Sequence, residues 1–322
     1  MATADLYPQF KQQLCALALA TNQQIVVALG GGVDSQTVLD LTDRFRREFP
    51  NYRYLAIHLD HAFHEKSAAW AEFLRADCEQ RQFPAIIEPI QVVIANRESK
   101  EAAGREARYQ RLAELTEANA VILLGQHRSD QIETFLLQLQ RGAGPKGLSS
   151  MAAIAPFKEQ RRLLRLLLNF EKTELYAYAE AHGVQWIEDD TNYDTSIDRN
   201  FLRHEIVPRL QQRWPSIQAT VARSAELCAE QQSLLEYFID KELTPRIQGD
   251  RFELAGWLEL APNLQKALLR RWFERAGVPL PSSAIMTELL RQLSRLPQGK
   301  VRVQWGQNQV YRERRQLVLA PL

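Results

Sequence analysis

The chain has 322 residues, 45% of them hydrophobic and 25% charged, with a formal net charge of +1 at pH 7. That balance excludes a disordered chain and a uniformly basic nucleic-acid-binding protein, and the length predicts two domains of unequal size. No apolar run reaches membrane-spanning length and the N-terminus carries no secretory pattern, so no membrane contact and a cytoplasmic location are expected. Cys15, Cys78 and Cys228 are too far apart for a CxxC redox pair or a metal cluster, and are expected to be reduced and buried.

In chain order, QIVVAL at Gln24–Leu29 is a short apolar run rich in β-branched residues, followed by three glycines and a helical pattern through Val38, Leu39, Leu41 and Phe45. The alternation then repeats. YRYLAIHLD reads as a strand, SAAWAEFLRADCEQRQ as a helix, AIIEPIQVV as a strand, EAAGREARYQRLAELTEAN as a helix and AVILLGQH as a strand. Buried strands alternating with helices imply an α/β fold, Rossmann-like, with a parallel sheet and helices on both faces. Ligands bind beyond the carboxyl ends of such strands. The polar strings GGGVDS, HLDHAFH and GQHRSDQIET all fall there.

Beyond residue 212 the pattern turns helical, with ATVARSAELCAEQQSLLEYFIDKEL as a long amphipathic helix. We therefore expect one domain over residues 1–212 and a smaller, mainly helical one over 213–322. The chain ends in KVRVQW and QVYRERRQLVL, expected to form a β-hairpin around Gly306, Gln307 and Asn308. On that reading Arg312 and Arg314 share one strand face and Arg315 points to the other. From Ala261 to Leu322 eleven basic residues face three acidic ones, a local excess of +8. Charge alone leaves a solvated Arg-rich face and an RNA track open.

A glycine triplet between a buried strand and a helix lets backbone N–H groups approach phosphate, with the positive end of the helix dipole behind them. Gly30, Gly31, Gly32, Val33, Asp34 and Ser35 occupy that position. The string has neither the GxxxxGKS/T spacing of a P-loop NTPase nor the GxGxxG spacing of a dinucleotide fold. Asp34 offers a carboxylate for a metal and Ser35 a hydroxyl for phosphate, or the two simply cap the helix.

LGGGVDS resembles the SGGxDS loop of PP-loop pyrophosphatases. HLDHAFH is similar to a DHGLR segment, GREARY to ARxxRY, and GQHRSDQIETFLLQLQRGAGPKGLSSM to HxxDDQxET followed by RGxGxxGL, all of the tRNA(Ile)-lysidine synthetases. IEDDTNYDTSIDRNFLRHEIVPRL matches their EDxTNxDxxxxRNxxRxxxxPxL stretch, and together these strings cover most of residues 24–212. The resemblance implies ATP and Mg2+ as cofactors, with free lysine and the CAU-anticodon tRNA(Ile) as partners. It also leaves room for a homodimer. The reaction implied is adenylylation of the wobble cytidine C2 oxygen and displacement of AMP by the lysine ε-amine. It assigns Asp34 and Asp130 to the metal and Arg105 or Arg108 to phosphate, with His127 and Glu133 aimed at the same cleft. Asp189, Asp190, Thr191, Asn192, Arg199, Asn200 and Arg203 are the candidate substrate contacts, against which stands a plain Asp/Asn turn. Arg199, Arg203, Arg209 and Arg213 join the C-terminal basic residues as a candidate tRNA track.

The chain departs from the family pattern at five positions: Gly30 stands for the loop serine and Ser129 for the first of two aspartates. Ala62 and His64 stand in the GxR pattern, and Leu166 for the proline of RPLL. Those departures keep a catalytically silent ATP- or tRNA-binding fold as the rival reading. A second rival is another PP-loop tRNA-modifying enzyme. A thiolase is disfavoured because sulfur handling calls for cysteines that a CxxC would supply.

Overall fold

A computed structural model describes residues 5–93, 100–296 and 298–322. The chain divides into two compact units, Met1–Leu227 and Cys228–Leu322. The division falls inside one long helix rather than at a loop.

The first unit opens with α1 (Tyr7–Cys15), β1 (Gln24–Leu29), α2 (Val33–Glu48), β2 (Arg53–Asp60), α3 (Ser67–Gln80) and β3 (Ala85–Pro89). It continues with α4 (Lys100–Leu115), β4 (Val121–Leu123), α5 (Arg128–Gln140), the single turn α6 (Pro145–Leu148), β5 (Ile154–Phe157) and β6 (Arg161–Leu164). Then come α7 (Lys172–Ala181), the short α8 (Asp198–Phe201) and α9 (Val207–Arg213), the last two joined by a π-helical turn at Leu202–Ile206, and α10 (Ile217–Leu243). The strands lie in the order β3-β2-β1-β4-β6-β5, parallel except for the antiparallel edge strand β5. RRLL and IAPF supply two strands that sequence periodicity did not assign, because each is only four residues long.

Side chains alternate across the sheet and feed two cores. Ile25, Val27, Leu29, Val121, Leu123 and Leu164 face a core shared with α1, α2 and α7. Val26, Ile57, Ile122, Leu124 and Leu163 face the other, shared with Tyr109 and Leu112 of α4. The chain steps outward from β1 through β2 to β3, then returns to β4 on the opposite side of β1. That reversal opens a crevice between the carboxyl ends of β1 and β4, where no connecting helix covers the sheet edge. GGGVDS leaves β1 and GQH leaves β4 at this point.

The second unit pairs β7 (Ile247–Gln248), β8 (Arg251–Glu253), β9 (Arg302–Trp305), β10 (Asn308–Glu313) and β11 (Gln316–Pro321) in one antiparallel sheet. Against it pack α11 (Pro262–Arg275), α12 (Ser283–Leu293) and the end of α10, around Phe252, Trp257, Trp272 and Phe273. The hairpin around Gly306 forms as expected, with Trp305 opposite Asn308. QVYRERRQLVL, however, is two strands. It folds back at Arg314, whose φ of 54° is left-handed, so Arg314 and Arg315 sit in a turn and the expected strand-face assignment of these arginines does not apply.

Of the three cysteines, all of them free, Cys78 is buried, Cys228 is half-buried and Cys15 is exposed, against the expectation that all three are buried. No helix among the described residues is long and apolar enough to cross a membrane.

Candidate active site

The glycine loop owes its shape to two contacts. Ser35 Oγ accepts the Gly30 N–H at 3.1 Å and donates to the Gly32 carbonyl at 3.0 Å. Ile187 donates its N–H to the Gly31 carbonyl at 3.0 Å, and a Cβ on Gly31 would come within 2.8 Å of Ile187 Cδ1. With φ at +87°, Gly31 is a glycine for conformational and steric reasons alike. Gly32 is the N-cap of α2 and offers no side-chain cap, and neither Asp34 nor Ser35 caps the helix. The first-turn N–H groups of α2 therefore have no side-chain partner, the arrangement that suits a helix N-terminus to an anion. Gly125, on the other wall, brings β4 against α2: a Cβ there would lie 3.0 Å from the Asp34 and Ser35 backbone.

Asp34 is instead turned to the crevice. Both of its oxygens accept from Lys172 Nζ at 2.7 Å, and His127 Nε2 lies 3.7 Å from Oδ1. His127 caps α5, its Nδ1 accepting the Ser129 N–H at 3.2 Å. In the neutral ring the proton then sits on Nε2, directed between Asp34 and Asp130, which lies 3.5 Å away. Asp130 Oδ2 accepts the His127 N–H at 3.0 Å, completing a capping box.

One turn further along α5, Glu133 is 1% exposed and meets a two-point fork from Arg203, Nε to Oε1 at 2.7 Å and Nη2 to Oε2 at 2.9 Å. Arg203 also reaches Asp130 at 3.4 Å, and Arg199 lies 3.5 Å from Glu133 while donating to Thr134 at 3.2 Å. Burial pushes the Glu133 carboxyl above its ordinary range, against the opposing pull of Arg203. The π-helical turn at Leu202–Ile206 is part of the same segment and follows α8 directly.

The remaining expected residues divide. Asp189 caps its own turn, accepting from the Thr191 N–H and hydroxyl at 2.9 and 2.7 Å. Asn200, buried, donates to the carbonyls of Thr191 and Asp194, and the Asn192 carbonyl lies 2.8 Å from His204 Nε2. These contacts tie the loop to itself. Asp190 pairs with His64 at 2.9 Å, and His64 stacks on Trp70 at 4.4 Å. Arg105 lies over the Tyr109 ring at 5.3 Å. Arg108 is near His58 and His61, whose pKa values lie below the ordinary range, burial acting first on both and Arg108 adding to it. Ser129 donates to Gln218 Oε1 at 3.3 Å. Among the described residues the one group of three or more potential ligands compact enough for an ion is His64, Asp189 and Asp190.

Lys172 was missed from sequence. Its signal is a cation in the first turn of α7, where the helix dipole disfavours positive charge unless a partner holds it. Ile187 and Gly125 were missed for lack of any pattern, since both act through close backbone approach across the fold.

Residues 6–210 match the PP-loop domain family, and residues 252–318 the TilS substrate binding domain. The chain is 53% identical to a tRNA(Ile)-lysidine synthase of Idiomarina loihiensis over 88% of its own length and 63% of that protein's. It is 43% identical to the Vibrio cholerae protein of that name, over 86% and 62%, and 40% identical to the Serratia proteamaculans one, over 98% and 72%. The chain thus spans about three-fifths of the length of the first two. Among solved structures, a U34-tRNA thiolase from Methanococcus maripaludis superposes with a TM-score of 0.56 at 17% identity, covering 70% of this chain and 78% of that one. That likeness concerns the fold alone.

Proposed function

This chain belongs to the tRNA(Ile)-lysidine synthase family of PP-loop proteins, and we propose that it ligates lysine to C2 of the wobble cytidine in the CAU-anticodon tRNA(Ile). ATP adenylylates the cytidine O2 with release of pyrophosphate, and the lysine ε-nitrogen then attacks C2 and expels AMP. The observation that carries this reading is the uncapped α2 N-terminus beside Asp34, His127 and Asp130 at the switch point of the sheet.

In this reading the N–H groups of Gly31 to Ser35 receive the phosphates, and Lys172 adds the charge that offsets the departing pyrophosphate. His127, its Nδ1 already committed to the Ser129 N–H, acts as a donor through Nε2 and not as a base. Arg199 and Arg203 hold the carboxylates of Asp130 and Glu133 in place at the crevice. The oxygen donors of Asp34 and Asp130 fit Mg2+, which takes one or two carboxylates and completes its shell with water and phosphate. Mg2+ held there would neutralise charge on the leaving pyrophosphate. In the second unit, Lys300, Arg302, Arg312 and Arg314 line an open concavity of about 520 Å³, suited to an RNA backbone.

The test is incubation with ATP, lysine and the CAU-anticodon tRNA(Ile), followed by nucleoside mass analysis. Lysidine, formed with one AMP and one pyrophosphate, is expected. Binding of ATP and tRNA without any new nucleoside would instead support the silent fold, a reading favoured by the neutralisation of Asp34 by Lys172 and of Asp130 by Arg203.

A further inference from the structure

Two arginines at opposite ends of β6 are both buried and are used differently. Arg161, 5% exposed at the start of β6, spends its guanidinium fully: it donates to the Thr116 hydroxyl and to the carbonyls of Ala113, Thr116 and Lys158, and lies 3.2 Å from Glu159. It closes the C-terminal end of α4 and needs nothing more. Arg165, 6% exposed just past the carboxyl end of β6, donates from Nη1 to the Ala152 carbonyl at 2.8 Å, while its Nε is buried with no hydrogen-bond partner.

No carboxylate meets Arg165 among the described residues. Its alternation with Leu163 puts it on the α4 face of the sheet, where Tyr109 packs. Burial pulls the Arg165 guanidinium below arginine's ordinary range and Arg105 pulls the same way, with the Tyr109 hydroxyl opposing both. Arg105, exposed, reaches the same hydroxyl at 3.5 Å. Two guanidinium groups therefore share one phenol, one at the surface and one beneath it. Buried charges in proteins are normally paired, because desolvation strongly disfavours an uncompensated one. Two further polar atoms at this end of the sheet are also buried without partners: Ser150 Oγ, in the loop that Arg165 grips through Ala152, and Gln126 Oε1, just beyond β4.

We propose that Arg165, with Arg105 and Tyr109, forms a subsite for a phosphate group at the carboxyl end of β6, separate from the glycine loop at β1. Arg165 supplies the enclosed charge and Arg105 the entrance. The phosphate comes from one of two sources, an RNA phosphodiester or the nucleotide. Only the RNA source rests on the tRNA reading above, and the test reads binding and stability, so a failure to form lysidine leaves it intact.

Arg165→Gln and Arg165→Lys in the full chain are to be compared with the parent in three measurements: thermal melting without ligand, ATP titration with Mg2+, and binding of an anticodon stem–loop RNA across a salt series. Arg165→Gln is expected to melt within about 4 °C of the parent or above it, since it loses an uncompensated buried charge. It should lose roughly tenfold or more in affinity for one ligand, with Arg165→Lys between it and the parent. Loss on RNA, with the salt slope reduced by about 0.7, assigns the phosphodiester. Loss on ATP assigns the nucleotide. Affinities for both ligands within twofold of the parent overturn the proposal. A melting temperature lowered by more than about 4 °C also overturns it, marking Arg165 as a structural staple like Arg161.

Discussion

Arg203 grips Glu133 at two points, with 2.7 and 2.9 Å between the paired atoms, although 70 residues separate them in the chain. The carboxylate is almost wholly enclosed while the arginine side chain keeps 33% of its exposure. Arg203→Met leaves Glu133 enclosed without its fork and should cost about 2 kcal/mol at neutral pH, less than a fully buried pair because solvent reaches the arginine. Glu133 already titrates above its ordinary 4.5, and loss of Arg203 raises it further. A raised folded pKa means that stability is intact below the unfolded value and is lost as pH rises through the folded one. The gap between variant and parent should therefore be smallest near pH 4 and grow toward neutrality. Urea unfolding at several pH values measures it, and a gap independent of pH would contradict the assignment.

Ala62 has a φ of +54° at the position where the family pattern places glycine. A Cβ in the left-handed region costs about 1 kcal/mol. Ala62→Gly removes that cost but adds unfolded-chain entropy, so a net gain of about 0.5 kcal/mol is expected. Thermal melting reads it as a rise of one or two degrees, and a lower melting temperature would mean that the loop holding His61 and His64 depends on the methyl group.

Gly31→Ala should be costly twice over, through its φ of +87° and through the 2.8 Å approach to Ile187 Cδ1. Ile187→Ala in the same chain relieves the clash and leaves the backbone strain of about 1–2 kcal/mol. A double-mutant cycle on stability should show partial rescue. Full additivity would place Ile187 away from the loop. Gly30→Ser, by contrast, meets nothing closer than Ser35 Oγ at 3.9 Å, and is expected to fold normally while tightening ATP binding by roughly fivefold or more through an added hydroxyl.

These positions show how far the sequence alone reaches. The alternation of β-branched runs and helical patterns marked out β1 to β4 and the strand ends that carry the polar strings, because period-2 and period-3.6 burial are local properties. The motif strings located Asp34, His127, Asp130 and Glu133 at one crevice. The strands β5 and β6 escaped because four residues carry too little period, and the last arginines were misplaced because Arg314 turns the chain without a glycine to announce it. The partners of the site were hidden for another reason. That Lys172 meets Asp34 and Arg203 meets Glu133 depends on segments 138 and 70 residues apart coming together, which no local pattern encodes.

Asp34→Ala should sharply reduce pyrophosphate release, since it removes the carboxylate proposed for Mg2+ and strands Lys172. Lys172→Met tests the pair from the other side. If Lys172 serves the phosphates, ATP affinity falls in that variant. If it only neutralises Asp34, affinity is unchanged and the optimum Mg2+ concentration drops. Nucleotide titration across a Mg2+ series separates the two outcomes, and unchanged affinity and turnover in Asp34→Ala would remove the loop from the reaction.

RNA binding in the second unit should run through the turn at Arg314 and Arg315 more than through Arg312. The Arg312 guanidinium donates to the Arg314 carbonyl at 2.7 Å and to the Gly299 carbonyl at 3.2 Å, so it braces the turn that presents its neighbours. Arg314 and Arg315 are both exposed, and Arg314 lines the basic concavity with Lys300 and Arg302. Removing one cation that neutralises an RNA phosphate flattens the dependence of log K on log salt by about 0.7 to 0.9. Arg314→Ala with Arg315→Ala should therefore weaken tRNA binding and lower the slope by between one and two, while ATP affinity stays at the parent value. Arg312→Ala should act through stability, lowering the melting temperature of the second unit while changing the slope little. Filter binding across a salt series, read beside thermal melts of the same variants, checks both halves. Parallel slopes for the parent and the double variant would leave this basic turn as a solvated face and move the RNA-binding role to Arg209, Arg213 or the crevice itself.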